Sequence, residues 1–252
     1  MKKIRLDVLL VEKGLAESRE QAQRLIRAGE VRVDGRPAAK PGQPCDPAAR
    51  IEVKEKPRYV SRGGLKIEGA WKFFRFDPRG AVCLDVGAST GGFTDFLLQH
   101  GAAKVYAVDC GTNQLHYRLR TDPRVTVMEQ TNARYLDRSL IPEPIDLCVI
   151  DVSFISLRLI LPAVKKVLRE GGQIVSLIKP QFEAGREQVG KGGVVRDEAV
   201  RREVVDRIRR FGKEELGLRW RGLCVSPVKG PAGNVEFLAW WERPEEERGT
   251  SA

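Results

Sequence analysis

Residues Ala81–Phe96 read AVCLDVGASTGGFTDF, and this stretch decides the fold of the larger part of the chain. A short apolar run ends at Asp85, small residues follow, and an amphipathic segment begins near Gly92. This order predicts a buried parallel strand, a tight loop and the N-terminus of a helix. Because glycine has no Cβ, Gly87 and Gly91 let the loop turn sharply and approach a ligand closely. The stretch therefore predicts a ligand-binding loop at one edge of a sheet.

The spacing of this loop narrows the class of ligand. It matches neither GxGxxG nor GxxxxGK[ST], so the loop offers no lysine for a triphosphate. A carboxylate at Asp85 points instead to a ligand with a cationic or hydroxyl-rich part, and S-adenosylmethionine has both. A second apolar strand, Lys104–Asp109, also ends in a carboxylate, where doubly wound folds bind the ribose of an adenosine cofactor. The alternative is an ordinary strand pair with two exposed acids.

Composition predicts a cytosolic protein without a metal site. The chain has 252 residues, 42% of them hydrophobic and 31% charged, and no apolar run approaches the roughly 20 residues of a membrane-spanning helix. The N-terminal apolar patch is too short and too charged for a secretory signal. The five cysteines are scattered singly, which is typical of reduced core thiols, and there are only two histidines.

The net charge of +10 indicates the kind of partner. Residues 1–60 contain 14 Lys and Arg against 9 Asp and Glu, so about a quarter of the chain carries half of the net positive charge. Such a balance favours nucleic acid, because basic side chains neutralise phosphates and release counterions. The alternative is that the charge only aids solubility.

The first 56 residues predict a small α+β domain. Leu6–Lys13 has a helical pattern, and a second helix begins at Ser18, which forms a capping-box pattern with Gln21. A strand with an Asp34–Gly35 turn and a second strand at Arg50–Glu55 follow. We predict an RNA-binding domain over 1–56, a linker over 57–63, a second domain over 64–243 and a frayed tail over 244–252.

The segment Ser18–Gly35 resembles the RNA-binding module of small-subunit ribosomal protein four, also called the alpha-L motif. The residues that carry the resemblance read SRxxAxxLIxxGxVxVDG. The resemblance implies RNA contacts from the arginines of the second helix, and basic residues near the linker would extend that surface. The alternative is a solvated helix face. The residues expected to contact RNA are Arg5, Arg19, Arg24, Arg27, Arg58 and Arg62.

The remaining chain alternates strands and helices, which predicts an α/β fold with a Rossmann-like, doubly wound sheet. An antiparallel pair, Leu218–Val225 and Asn234–Trp241, would close the sheet. Such sheets bind ligands at the carboxyl ends of their strands. The parallel strands are predicted near 81–86, 104–109, 125–129, 145–151 and 173–179.

Two more strands end in ionisable residues, Asp151 and Lys179, which would open onto the same crevice. Burying a lone charge is costly, so these residues predict function, the alternative being a structural ion pair at the rim. The segment Asp151–Phe154 reads DVSF and lacks the [DN]PP[YF] of enzymes that methylate base amino groups. Cys148 lies inside the strand and is interpreted as a core residue rather than a nucleophile. An oxygen atom is therefore the favoured target.

Five motifs in family order resemble the TlyA family of ribosomal RNA 2'-O-methyltransferases, relatives of the FtsJ heat-shock methyltransferase. They read SRGGLK (61–66), DVGASTGGFTD (85–95), DVSFISL (151–157), IKPQFE (178–183) and GNVEF (233–237). The resemblance implies a class I methyltransferase domain, S-adenosylmethionine as cofactor and a cytidine of ribosomal RNA as substrate. It also implies a catalytic tetrad of Lys66, Asp151, Lys179 and Glu236. Members of this family are also called haemolysins.

A ribose 2'-hydroxyl must lose its proton as it attacks a methyl group, and the tetrad would assist this loss. Lys179 would either accept the proton or stabilise the developing alkoxide, and the sequence leaves both open. Asp151 and Glu236 would orient the lysines, and Lys66 could also hold a phosphate or sugar oxygen. The residues expected to hold the cofactor are Asp85, Gly87, Ala88, Ser89, Thr90, Gly91, Gly92, Phe93, Asp109 and Asn132.

Other features keep two interpretations each. Phe154 and Phe182 would stack on a base or pack in the interior. The glycine-rich segment Glu183–Val195, with Arg186 and Lys191, would form a lid near phosphate or a disordered connection. Two rival functions are a membrane-damaging haemolysin and a non-catalytic RNA-binding ribosome factor.

Overall fold

The computed structural model describes residues 3–54 and 57–245. The chain divides into two compact units, of which one ends at Pro57 and the other begins at Arg58. The smaller unit has one hydrophobic core, and the larger unit has two. Residues 246–252, most of the predicted tail, lie outside the described residues.

Within residues 3–54, the smaller unit contains two helices and two small antiparallel sheets. Strands β3, β2 and β5 form one sheet in that order, and β1 pairs with β4. Its core is formed by apolar side chains of both helices and of β2, including Leu6, Leu10, Ala22, Ile26 and Val31. The elements are β1 (Ile4–Arg5), α1 (Leu6–Glu12), α2 (Arg19–Arg27), β2 (Val31–Val33), β3 (Arg36–Pro37), β4 (Pro44–Cys45) and β5 (Ile51–Val53).

Local signals explain where these elements begin and turn. Ser18 Oγ accepts a hydrogen bond of 3.2 Å from the Gln21 backbone N–H, so Ser18 caps α2. The Gln21 side chain accepts from the N–H of Glu17, one residue before the predicted partner. Asp34 and Gly35 have φ values of 49° and 76°, as a two-residue turn between β2 and β3 requires.

The larger unit is built on a seven-stranded sheet with the order β11-β12-β10-β9-β6-β7-β8. Strands β6 to β10 are parallel, whereas β12 runs antiparallel to β10 and β11. The strands are β6 (Val82–Val86), β7 (Lys104–Val108), β8 (Val125–Met128), β9 (Ile145–Ile150), β10 (Leu168–Ile178), β11 (Arg219–Val225) and β12 (Phe237–Glu242). The predicted doubly wound α/β fold is confirmed.

Helices connect the strands and cover the sheet. A π-helical turn, Phe211–Glu215, follows the last helix, and short 3-10 helices lie at Ala133–Tyr135 and Arg186–Gln188. The α-helices are α3 (Gly63–Phe74), α4 (Gly92–Gln99), α5 (Tyr117–Arg120), α6 (Leu157–Val167), α7 (Pro180–Glu183) and α8 (Glu198–Arg210).

The strand order of the sheet indicates where a ligand would bind. From central β6 the chain adds β7 and β8 on one side and returns to β9 on the other. The strand order therefore reverses between β6 and β9, and α/β sheets bind ligands outside the carboxyl ends of strands at such a point. Alternate residues of β9 belong to opposite cores. Leu147 and Val149 lie in one core, and Cys148 and Ile150 lie in the other, so both faces of the sheet are covered.

The structure differs from the sequence prediction in two segments. Residues 58–63, predicted as part of a linker, belong to the larger unit, because Tyr59 is buried in its core against Phe96 and α3 already begins at Gly63. Strand β10 begins at Leu168 rather than near 173, and a bulge between Leu168 and Gln173 interrupts its pairing with β9.

Candidate active site

A cavity of about 340 Å³ opens at the carboxyl edge of β6, β9 and β10, where the strand order reverses. Its volume falls within the range of small-molecule sites. The loop after β6 forms one wall, and three tetrad residues, Lys66, Asp151 and Lys179, form another. The loop residues that line the cavity are Gly87, Ala88, Ser89, Thr90, Gly92 and Phe93, all of them predicted cofactor residues.

The glycine loop has the conformation that its sequence predicted. Gly87 has a φ of 83°, in the left-handed region that favours glycine. A Cβ at Gly87 would lie 2.4 Å from the carbonyl oxygen of Asp151, so the loop packs directly on the chain that carries a tetrad residue. Gly91 faces away from the cavity, where a Cβ would meet Leu115 and Leu119. Gly91 therefore lets the loop pack closely against these leucines, on the side away from the cavity.

Asp85, a predicted cofactor residue, is not among the residues that line the cavity. Its side chain is fully buried, and Oδ2 accepts hydrogen bonds from the N–H and the hydroxyl of Thr94, at 2.9 and 2.7 Å. Val86, not Asp85, is the last residue of β6, and a contact of Asp85 with the cofactor stays a prediction. Asp85 instead holds the first turn of α4, and with it the end of the glycine loop. Burial raises the pKa of Asp85 to about 7.

We expect Asp85→Asn to flatten the pH dependence of stability. Folded Asp85 keeps its proton up to about pH 7, whereas the usual pKa is 3.8. Between these values the folded state binds more protons than the unfolded state, so the free energy of unfolding falls as pH rises. Asparagine keeps an oxygen for Thr94 and cannot ionise. Urea titrations from pH 4 to pH 8 should show a smaller decline in the free energy of unfolding for the variant than for the parent protein. The two declines should differ by at most about 4 kcal/mol.

The matched control is Asp206→Asn, since Asp206 is exposed on α8. This variant should reproduce the unfolding profile of the parent protein at each pH. Parallel profiles for Asp85→Asn and the parent protein would contradict the buried, proton-binding state of Asp85.

Asp109 and Asn132, the other expected cofactor contacts, lie outside the residues that line the cavity. Asp109 follows β7, and its two oxygens accept from the N–H groups of Ser89 and Gly111, at 2.8 and 2.7 Å. Asp109 thus ties the glycine loop to the next strand. Asn132 is exposed and accepts from the N–H of Arg134, which caps a 3-10 helix. In this structure both side chains have local structural partners.

The four tetrad residues converge into one chain of alternating charge. Lys179 Nζ lies 2.6 Å from Asp151 Oδ1, and Lys66 Nζ lies 3.6 Å from Asp151 Oδ2. Lys66 Nζ also donates to Glu236 Oε2 at 2.7 Å. Each carboxylate therefore has a lysine partner, as buried charges require. Lys66, Lys179 and Glu236 are buried, so water competes little for these contacts.

Two polar residues that the sequence analysis did not assign complete this chain. Lys179 Nζ donates to Ser153 Oγ at 2.9 Å, and Gln181 Nε2 donates to Glu236 Oε1 at 3.2 Å. Ser153 also lines the cavity. Both residues stand within two positions of a tetrad member, which was the available signal. Cys148, by contrast, is fully buried, and burial raises the pKa of its thiol well above the usual value, in agreement with a core role.

Phe154 is the most exposed large apolar side chain of the described residues, with 90% of its surface accessible. It has a φ of 62°, a strained value for a bulky residue. Its ring lies 4.8 Å from the ring of Phe182, and the Lys179 ammonium lies 5.8 Å from the Phe182 ring. A ring this exposed is not packed in the interior, so the packing interpretation is disfavoured for Phe154.

Glu183 joins the two segments that carry Asp151 and Lys179. Its oxygens accept from the Ser156 hydroxyl and the Leu157 N–H, both at 2.7 Å, at the start of α6. Burial raises the pKa of Glu183. The glycine-rich segment begins at this buried anchor, and at its far end Asn234 bonds to the Gly193 carbonyl and the Val195 N–H. Closure of this segment over a substrate stays a prediction.

The predicted RNA-contacting arginines differ in their surroundings. Arg5 and Arg19 both pair with buried Asp7, at 2.8 and 3.4 Å, and the Arg5 guanidinium holds the pKa of Asp7 well below its usual range. Arg24 and Arg27 are exposed on α2. In the larger unit, Arg58 pairs with Glu68, whereas Arg62 lines the cavity.

Metal-binding clusters and membrane-spanning helices are both absent from residues 3–54 and 57–245. No cluster of His, Cys, Asp or Glu there could hold a metal ion. None of the helices in these ranges combines the length and apolarity needed to cross a bilayer. All five cysteines are free, and Cys110 is exposed rather than in the core.

Comparison with known families assigns both units. The FtsJ-like methyltransferase family matches residues 59–243, which is more than half of the chain. This chain belongs to the FtsJ-like methyltransferase family. The S4 domain matches residues 4–51, which confirms the predicted resemblance of the smaller unit to the ribosomal protein module. The methyltransferase family match covers every residue of the tetrad.

Individual relatives extend over nearly the whole of this FtsJ-like chain. The 16S/23S rRNA (cytidine-2'-O)-methyltransferase TlyA of Mycobacterium tuberculosis is 48% identical over 253 residues, which are 100% of this chain and 94% of TlyA. Hemolysin A of Brachyspira hyodysenteriae is 42% identical, covering 94% of this chain and 98% of the relative. A solved structure from Streptococcus thermophilus has a TM-score of 0.73 at 48% identity, covering 100% of this chain and 93% of that one.

Proposed function

We propose that this methyltransferase transfers a methyl group from S-adenosylmethionine to a ribose 2'-oxygen of ribosomal RNA, with cytidine as the target nucleotide. The observation that carries the proposal is the convergence of two lysines and two carboxylates beside a glycine-loop cavity. The name of the M. tuberculosis relative supports the choice of nucleotide and atom. A ribosomal substrate places the enzyme in the cytoplasm.

The residues of the cavity fit the cofactor. Gly63, Gly87 and Gly92 give it walls of bare backbone, and a Cβ at Gly92 would lie 2.3 Å from Ser61 Oγ, so no side chain could be added there without movement. Ser89 and Thr90 add hydroxyl groups for polar contacts. When bound, S-adenosylmethionine supplies an electrophilic methyl group.

The tetrad would act on the sugar oxygen. The Lys179 ammonium donates one hydrogen bond to Ser153 and forms an ion pair with Asp151, and an ammonium has three donors, so it can also donate to the 2'-oxygen. We assign Lys179 the role of a charged donor that stabilises the oxygen as its proton leaves to water. Lys66 and Glu236 hold Asp151 in place from the other side. Much of the rate would come from this alignment.

Phe154 is proposed to stack on the target base, and its removal should weaken RNA recognition. We expect Phe154→Ala to lower kcat/KM for RNA by about 10-fold or more, because base–aromatic stacking contributes about 1–3 kcal/mol. Phe154→Tyr should retain most activity. The matched control is Phe73→Ala, which removes another exposed ring, one that lies on α3. Equal losses in the two alanine variants would contradict stacking.

The direct test of the proposed function is methyl transfer to ribosomal subunits. Purified protein, tritiated S-adenosylmethionine and 30S or 50S subunits that lack the modification should give labelled RNA, and mapping should place the label on a ribose 2'-oxygen. Label on a base, or none on either subunit, would refute the proposal. A non-catalytic ribosome factor would bind the subunits and give no label.

A further inference from the structure

The lining of the active-site cavity carries an excess of positive charge. Four cationic side chains line it, and Asp151 is the only acidic residue among its lining residues. The cofactor proposed for this cavity has a net positive charge and a base is neutral, so the net charge of neither accounts for such an excess. The four cationic residues are Arg62, Lys66, Lys179 and Lys229.

The tetrad neutralises two of the four charges. Lys66 pairs with Glu236 and Asp151, and Lys179 pairs with Asp151. Arg62 and Lys229 are both exposed, and the structure over residues 57–245 shows no ion pair or side-chain hydrogen bond for either. Two unmatched positive charges therefore remain at the cavity.

Both residues are held close to the tetrad by the elements that carry it. Arg62 is the N-cap of α3 and stands one helical turn before Lys66. Lys229 lies in the loop that leads from β11 to Glu236 and β12. That loop is braced by the bond from Ser226 Oγ to the Val228 carbonyl, 2.7 Å, and by the bond from the Gly230 N–H to the Asn234 carbonyl, 3.0 Å.

Asn234 fixes the same loop from inside. Its side chain is only 2% exposed and bonds to the glycine-rich segment at Gly193 and Val195. The backbone on which Lys229 stands is therefore ordered before any substrate arrives. A cation on a braced backbone segment loses less conformational entropy on binding an anion than one on a mobile loop.

We infer that Lys229 and Arg62 bind the phosphates on either side of the target nucleotide. The inference rests on the proposed function, since every internal ribose that presents a 2'-hydroxyl in RNA is linked to two phosphates. Each cation would contact one phosphate and so hold the sugar between them, facing Lys179. Phosphate contacts of this kind fix position without reading sequence.

The cofactor carboxylate is the other anion that these cations could bind, and the experiment separates the two sources. Variants Lys229→Ala, Arg62→Ala and Lys229→Glu are compared with Lys166→Ala, an exposed lysine on α6 outside the cavity lining. Affinity for S-adenosylmethionine is measured by calorimetry. Affinity for 30S and 50S subunits is measured by filter binding, which requires no catalysis, at several salt concentrations.

We expect each alanine variant to weaken subunit binding by about 5-fold and to reduce the slope of log K against log salt by about 1. The charge reversal should weaken subunit binding further, and Lys166→Ala should match the parent protein. Affinity for S-adenosylmethionine should stay unchanged in all four variants.

Loss of cofactor affinity with unaltered subunit binding would overturn the inference in favour of the carboxylate. An unchanged salt slope in both alanine variants would also overturn it. Failure of the proposed function itself looks different, because the parent protein would then give no methylated RNA whatever the state of these two residues.

Discussion

Lys179→Ala should reduce methyl transfer to ribosomal subunits by about 10²–10⁴-fold, the usual contribution of one catalytic proton-transfer or charge-stabilising group. Lys179 is the tetrad lysine that bonds to Ser153 and to Asp151, and it lines the cavity directly. Asp151 would keep Lys66 as a partner, so the remaining cluster still pairs its charges. Cofactor affinity, measured by calorimetry, should stay close to that of the parent protein.

A second substitution at this position separates the two roles that chemistry allows. Arginine is always charged and cannot accept the proton, yet it can donate hydrogen bonds. If Lys179 acts as a charged donor, Lys179→Arg should retain more activity than Lys179→Ala. Equal loss in both variants would instead indicate a general base. Activity of Lys179→Ala equal to that of the parent protein would remove Lys179 from the mechanism.

Gly87→Ala should impair both folding stability and cofactor binding. The new Cβ would lie 2.4 Å from the Asp151 carbonyl oxygen and 2.9 Å from its carbon, which are backbone atoms that cannot rotate away. The φ of 83° adds about 1–2 kcal/mol of conformational strain for a residue with a Cβ. We expect the free energy of unfolding to fall by about 3 kcal/mol or more, with calorimetry showing at least about 10-fold weaker cofactor binding.

Gly80→Ala provides the matched control for this prediction. Gly80 has a similar φ of 68°, but nothing lies within 4 Å of a Cβ built there. It should therefore report the backbone strain alone, about 1 kcal/mol, with cofactor affinity unchanged. If the two variants were equally stable, the contact between the glycine loop and Asp151 would not be the reason for the lower stability of Gly87→Ala.

The fold was largely predictable because its signals are local. The strands β6, β7 and β9 are short apolar runs, and each was predicted within a residue or so of its observed bounds. The start of β10 was wrong, since pairing through a bulge joins Leu168 to β9 across a glycine pair that interrupts the pattern. Tyr59 was assigned to a linker because its burial depends on Phe96, which is distant in sequence.

The site was predictable only where motifs carry it. Periodicity cannot pair Lys66 with Glu236, so that contact came from the family resemblance. Position at a strand end suggested a ligand contact for Asp85, but the partner is Thr94, nine residues later, and this bond depends on how α4 docks. Ser153 stood within two positions of a tetrad member but had no pattern of its own, and Lys229 had none either, since single polar residues in loops are common in any chain.

The bond between Lys66 and Glu236 joins positions 170 residues apart. Contacts of such large sequence separation slow folding, because closing the loop between them costs conformational entropy. A chain cleaved between β11 and β12 would keep Glu236 beside Lys66 only while β12 stays paired with β10 and β11. Loss of the fragment that carries β12 would leave Lys66 without this carboxylate and would uncover the core around Trp241, so we expect activity and stability to be lost together.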